Sequence, residues 1–181
     1  MLKTDKPIYK VILILNLLFI FVGCAIAITD LTGTDTIGVI YTVTEILALL
    51  FALFYILYGY TKNAAGYYKA FGYLYLLSRI SDFIKIISSN RKVGIFTYIF
   101  WSIVTISLLV LVFGKNLGKK KSLILCGVIV LIGVIGIFYV YNQTGAFHLG
   151  AKIRLLDLDL ACLYGILTYA KYLDKESRGA K

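Results

Sequence analysis

The chain of 181 residues reads as an all-α, polytopic membrane protein: a single domain, residues 1–181, of six transmembrane helices with both termini cytoplasmic. Three observations lead there. Sixty per cent of the residues are hydrophobic against fifteen per cent charged, more apolar surface than one soluble core of this length can hide. The apolar residues fall into runs near the roughly 20 residues a helix needs to cross a bilayer, joined by polar connectors no longer than about ten residues. The basic residues are also sorted. With the N-terminus inside, Lys3, Lys6, Lys10, Lys62, Lys69, Lys115, Lys119, Lys120, Lys121, Lys171, Lys175, Arg178 and Lys181 fall on the cytoplasmic side, against Asp5, Asp174 and Glu176. The remaining six basic and six acidic residues cancel, so the whole formal charge of +10 is topological signal.

The first span, 8–29, follows Pro7, which suits the opening turn of a helix because its missing N–H is unneeded there. Its "NLLFIFVGCAIA" also resembles a signal-peptide core with a small-residue site at Ala25 and Ala27, and "FVGC" a poor lipoprotein box. The lysines ahead of it favour a retained helix. The second span, 37–60, carries Glu45 on a face with Gly38, Tyr41, Thr44, Ala48, Ala52, Tyr55 and Gly59, where small residues permit close helix approach.

The third span, 64–88, contains "YLYLLSRISDFIKII", apolar apart from three charges. At about 100° per residue, Tyr75, Ser78, Arg79, Asp82, Lys85 and Ser89 share one face, with Leu76, Ile80, Phe83, Ile84 and Ile87 opposite. The expectation is a wet face toward the interior and a dry one toward lipid. Arg79 and Asp82 are spaced to pair along the helix, and Lys85 to snorkel to the outer end. Laying this segment flat on the membrane would leave five spans and put the lysine-rich tail outside, against the charge rule.

The fourth span is 93–113. The fifth, 122–141, has Gly133 and Gly136 as expected sites of a close crossing. The sixth, 153–172, repeats the R-x-x-D spacing with Arg154 and Asp157, on a face continued by Ala161, Tyr164, Gly165, Thr168 and Tyr172. Asp159 points nearly the other way and needs another neighbour or a place near the headgroups. Cys24, Cys126 and Cys162 lie in apolar runs without C-x-x-C spacing and read as small hydrophobes. Tyr58, Tyr60, Tyr67, Tyr68, Tyr139 and Tyr141 fit interface anchors.

In this topology Glu45, Arg79, Asp82, Lys85, Arg154, Asp157 and Asp159 all occupy the outer half, below His148 and Lys152. Intramembrane ionisable groups are functional candidates by default. The leading expectation is therefore an outward-facing polar site that binds or transports a small polar solute or ion. Asp82, Glu45 and Asp157 would take cationic groups or protons, Arg79 and Arg154 would orient an anionic group, and Tyr75 and Tyr164 would line the walls. The alternative is a non-transporting accessory, sensor or assembly subunit whose ion pairs are structural and which contacts a membrane-protein partner. The bilayer, with anionic lipid at Lys119–Lys121, is the expected surrounding, in a prokaryotic cell membrane. No nucleic-acid motif accompanies the basic charge, so nucleic acid is not expected as a partner. No Walker loop, H-E-x-x-H, G-x-S-x-G or dinucleotide turn occurs, so no cofactor or metal is expected, and an enzyme using its carboxylates on a lipid or cell-wall precursor at the outer leaflet stays open as the lesser alternative.

Overall fold

The structure, a computed structural model, describes residues 7–30, 36–58, 64–88, 94–114, 117–144 and 149–179. All of the secondary structure there is helical: α1 (Pro7–Asp30), α2 (Thr36–Leu57), α3 (Ala64–Ser88), α4 (Ile95–Phe113), α5 (Lys119–Thr144) and α6 (Leu149–Gly179). Each helix coincides with one of the six apolar runs. The differences lie at the ends. α4 starts two residues late because Gly94 sits outside it in an extended conformation as the N-cap, and Gly114 ends it the same way. α6 continues well past the apolar run, through Asp174 and Glu176, where a helix needs no apolar partner to stay hydrogen-bonded.

Three helical segments are long and apolar enough to cross a membrane: Lys10–Ile28, Ile95–Phe113 and Lys119–Tyr139. They are consistent with a membrane protein. The apolar part of α2, Thr42–Leu57, is shorter, and α3 and α6 are interrupted by charge. The exposed surface is itself apolar, including Ile14, Leu18, Phe21, Ile95, Phe96, Ile106, Leu131 and Phe138. In water such a surface would be an aggregation site; in hydrocarbon it needs no cover.

Successive helices pack on one another, α1 also packs on α6, and α6 reaches across to α2 and α3. This makes α6 the inner helix. Leu156, Asp157, Asp159, Leu160, Leu163, Tyr164, Leu167, Thr168 and Ala170 are buried around its circumference. The core continues into Ala48, Leu49 and Ala52 of α2 and Phe71, Tyr75 and Leu76 of α3. Small Ala48 and Ala52 bring α2 against its neighbours as their spacing predicts.

Two expectations about faces need correction. Leu76, assigned to the outer side of α3, is buried, whereas Tyr73 and Leu77 are exposed beside Ile80, Ile84 and Ile87. The cause is that α3 lies between α2 and α4 and is covered on two sides. Tyr68, assigned to the interface, is buried and hydrogen-bonded to Thr168 (2.7 Å). Tyr58 and Tyr141 are exposed at helix ends. Gly133 faces Leu158, where an added Cβ would lie 3.2 Å from the leucine methyl, so it marks the α5–α6 crossing; Gly136 meets nothing within 4 Å.

Candidate functional site

The wet faces of α2, α3 and α6 converge on Arg79. Its guanidinium donates to Glu45 Oε1 of α2 at 2.9 Å, forms an ion pair with Asp157 of α6, and lies 3.9 Å from Asp82 one turn along α3. Tyr75 sits beneath it, with the guanidinium carbon 5.8 Å from the ring centre. The Tyr75 hydroxyl in turn donates to the Asp157 carbonyl oxygen at 3.2 Å. A single cation thus gathers carboxylates from three helices. The planar fork of arginine suits this, because it presents several donors in fixed directions, whereas lysine is a point charge.

Burial grades across the cluster. The side chains of Glu45 and Arg79 are 0% and 3% exposed, and those of Asp82 and Asp157 are 10% and 11%. Glu45 and Arg79 therefore form the closed end, where a broken pair is most costly. Asp82 is the carboxylate set farthest from Arg79, at the limit of an ion pair. It is held from the other side by α4, whose Trp101 Nε1 donates to Asp82 Oδ2 at 3.0 Å. The Trp101 ring is stacked on Phe83, with centroids 5.0 Å apart.

Of the residues expected at the site, Glu45, Tyr75, Arg79, Asp82 and Asp157 come together. Tyr164 lies behind Tyr75, edge to face at 6.3 Å, and is stacked on Tyr68, so it supports the site from below. Its hydroxyl is seated against Gly72, where a Cβ would come within 3.0 Å. The side chains of Arg154 and Lys85, and His148 entirely, lie outside the described residues. Trp101 was missed by sequence reasoning, although the one tryptophan of the chain, in a helix without charges, was an available signal.

Two polar groups lie apart from this cluster. Asp159 is buried toward α1, with Oδ2 against Gly23 and Leu49, so it neither joins the Arg79 cluster nor reaches a surface. Asn16 of α1 lines a small cleft with Tyr55, Ile56, Leu167 and Ala170. Its amide donates back to Ile12 O at 2.9 Å, and Oδ1 accepts no hydrogen bond among the described residues. The three cysteines are free thiols.

No protein-family model, curated protein or solved structure matches the chain. The reading of its function therefore rests on the residues themselves.

Proposed function

We propose that the chain is an integral membrane protein of six transmembrane helices, with both termini cytoplasmic, that binds or transports a small polar solute or ion at the Arg79 cluster. The basic connectors support the orientation, because with thirteen basic residues on the cytoplasmic side the rest of the chain, outer connectors included, holds six basic and six acidic residues and sums to zero. On this topology the cluster lies in the outer half of the membrane of a prokaryotic cell.

The observation that carries the reading is the uneven hold on Asp82. Burying ionised groups costs several kcal/mol each, and a bundle that needed only packing is often as stable with apolar residues in their place. A tight Arg79–Glu45 pair beside a 3.9 Å Arg79–Asp82 separation divides the cluster into a fixed end and an adjustable one. A cationic group of the solute would compete with Arg79 for Asp82, next to the aromatic ring of Trp101. An anionic group would take the place of a carboxylate on the guanidinium fork. Tyr75 and Tyr164 form the floor.

A second reading is favoured by a specific observation: Arg79 engages all three carboxylates at once, and Glu45 is fully buried. A cluster so closed would serve as a helix lock in an accessory or assembly subunit. Uptake assays in proteoliposomes separate the two, using labelled amino acids, small amines and small carboxylates. Saturable uptake of one class, lost in Asp82→Asn with the fold intact, is the expected result. No uptake or binding of any class by a folded wild type would transfer the cluster to the structural role.

A further inference from the structure

Asp159 is the carboxylate that the Arg79 cluster does not explain. It is 4% exposed, and its Oδ2 is buried with no hydrogen-bond partner among the described residues. No described lysine or arginine forms an ion pair with it. Its surroundings are built for a carboxyl group of limited size. At Gly23 of α1 an added Cβ would sit 2.5 Å from Oδ2, so a larger residue there would have to push the carboxyl aside, and the Leu49 methyls of α2 close the socket at 3.0 and 3.2 Å from the same point. The titratable groups facing Asp159 are the thiols Cys24 of α1 and Cys162 of α6; α2 presents Leu49, with Glu45 one turn away and committed to Arg79. Thus α1, α2 and α6 bring up no cation among the described residues.

An isolated carboxylate in such a place is one of the most costly groups a fold can hold, and a carboxylic acid is far cheaper. A metal ion does not fit as the compensating charge: sodium or calcium takes about six oxygen ligands, and this socket offers one carboxyl and two thiols beside a glycine and a leucine, with no cluster of metal-ligating side chains among the described residues. We propose that Asp159 is a proton-binding site, occupied by a proton while α1 is seated on α6. Loss of that proton leaves a carboxylate that the Gly23–Leu49 socket cannot solvate, so release is linked to separation of α1 from α6. The assignment goes beyond the solute reading and stands independently of it, because it uses only the α1–α2–α6 packing. In an active carrier, the same site would supply a coupled ion.

The full-length protein in detergent tests this by infrared difference spectroscopy between acid and alkaline pH. Wild type should lose a carbonyl band of a protonated carboxylic acid as pH rises, and Asp159→Asn should lack that band while Asp157→Asn keeps it. Identical difference spectra in wild type and Asp159→Asn would overturn the proposal. Thermal unfolding gives a second reading. Because the neutral acid is the form the fold accepts, wild-type stability should fall as pH rises, and the neutral isostere Asp159→Asn should not follow it. Should Asp159→Asn fail to fold, labelling of wild type by dicyclohexylcarbodiimide decides. This reagent needs the acid proton, which passes to a carbodiimide nitrogen as the carboxyl oxygen adds to the central carbon. An adduct mapped to Asp159 that declines as pH rises supports the site, and its absence from Asp159 overturns it.

Discussion

Removing the Arg79 charge should be the most destabilising single change within the cluster. Arg79→Gln takes away the 2.9 Å partner of Glu45, a side chain that is 0% exposed. At an effective dielectric of about 20 and about 4 Å between charge centres, the lost attraction is about 4 kcal/mol. Breaking a buried pair from one side is destabilising by about 3–5 kcal/mol in general, because one charge stays behind. Glu45→Gln should be milder, about 1–3 kcal/mol, since the amide oxygen still accepts from Arg79 and the guanidinium keeps Asp157. The double variant should then lose less than the sum of the two by about 1–3 kcal/mol, because neither charge remains to be compensated by the other. Equilibrium unfolding in mixed detergent, completed as a double-mutant cycle, gives these quantities. An Arg79→Gln loss below about 0.5 kcal/mol, or strict additivity, would refute the closed-end assignment.

Other outcomes follow from the same geometry. Asp82→Asn should change stability by no more than about 1 kcal/mol, because the amide oxygen still accepts from Trp101 Nε1 and the Arg79 contact given up is 3.9 Å long; unfolding curves of the two proteins check this. Gly23→Ala should destabilise by about 1–3 kcal/mol through the collision with Asp159 and Leu49, and Gly136→Ala, which meets nothing within 4 Å, should be neutral or stabilising by up to about 1 kcal/mol. Tyr68→Phe should remove the hydrogen bond to Thr168 and lower stability by about 1 kcal/mol, with Thr168→Val adding little once Tyr68 is gone.

The helices were legible because one signal, long apolar runs parted by polar connectors, dominates this chain, and the ends, such as those at Gly94 and beyond Tyr172, depended on local detail. The members of the cluster were legible too: the 100° periodicity places Tyr75, Arg79 and Asp82 on one face of α3 and Glu45 with Ala48 and Ala52 on one face of α2. Which partners they take was not. Spacing alone pairs Arg79 with Asp82, but an i,i+3 pair is weak, and two carboxylates on other helices approach the guanidinium more closely. The place of Asp159 and the burial of Leu76 depend on which helices lie inside the packing, and periodicity within one helix carries no information on that. Trp101 was hidden for a related reason: an indole in an apolar run reads as packing until a carboxylate from another helix is found 3.0 Å from its nitrogen.

The central claim is that Asp82 belongs to a polar site reached from outside the membrane. Thiol labelling tests it most directly, in a protein whose Cys24, Cys126 and Cys162 are replaced by serine and alanine and which carries Asp82→Cys. A membrane-impermeant thiosulfonate added to the outside of intact cells should modify position 82. Protection of position 82 from the outside reagent, with labelling at an exposed outer control position, would contradict the account and leave a dry helix lock in its place.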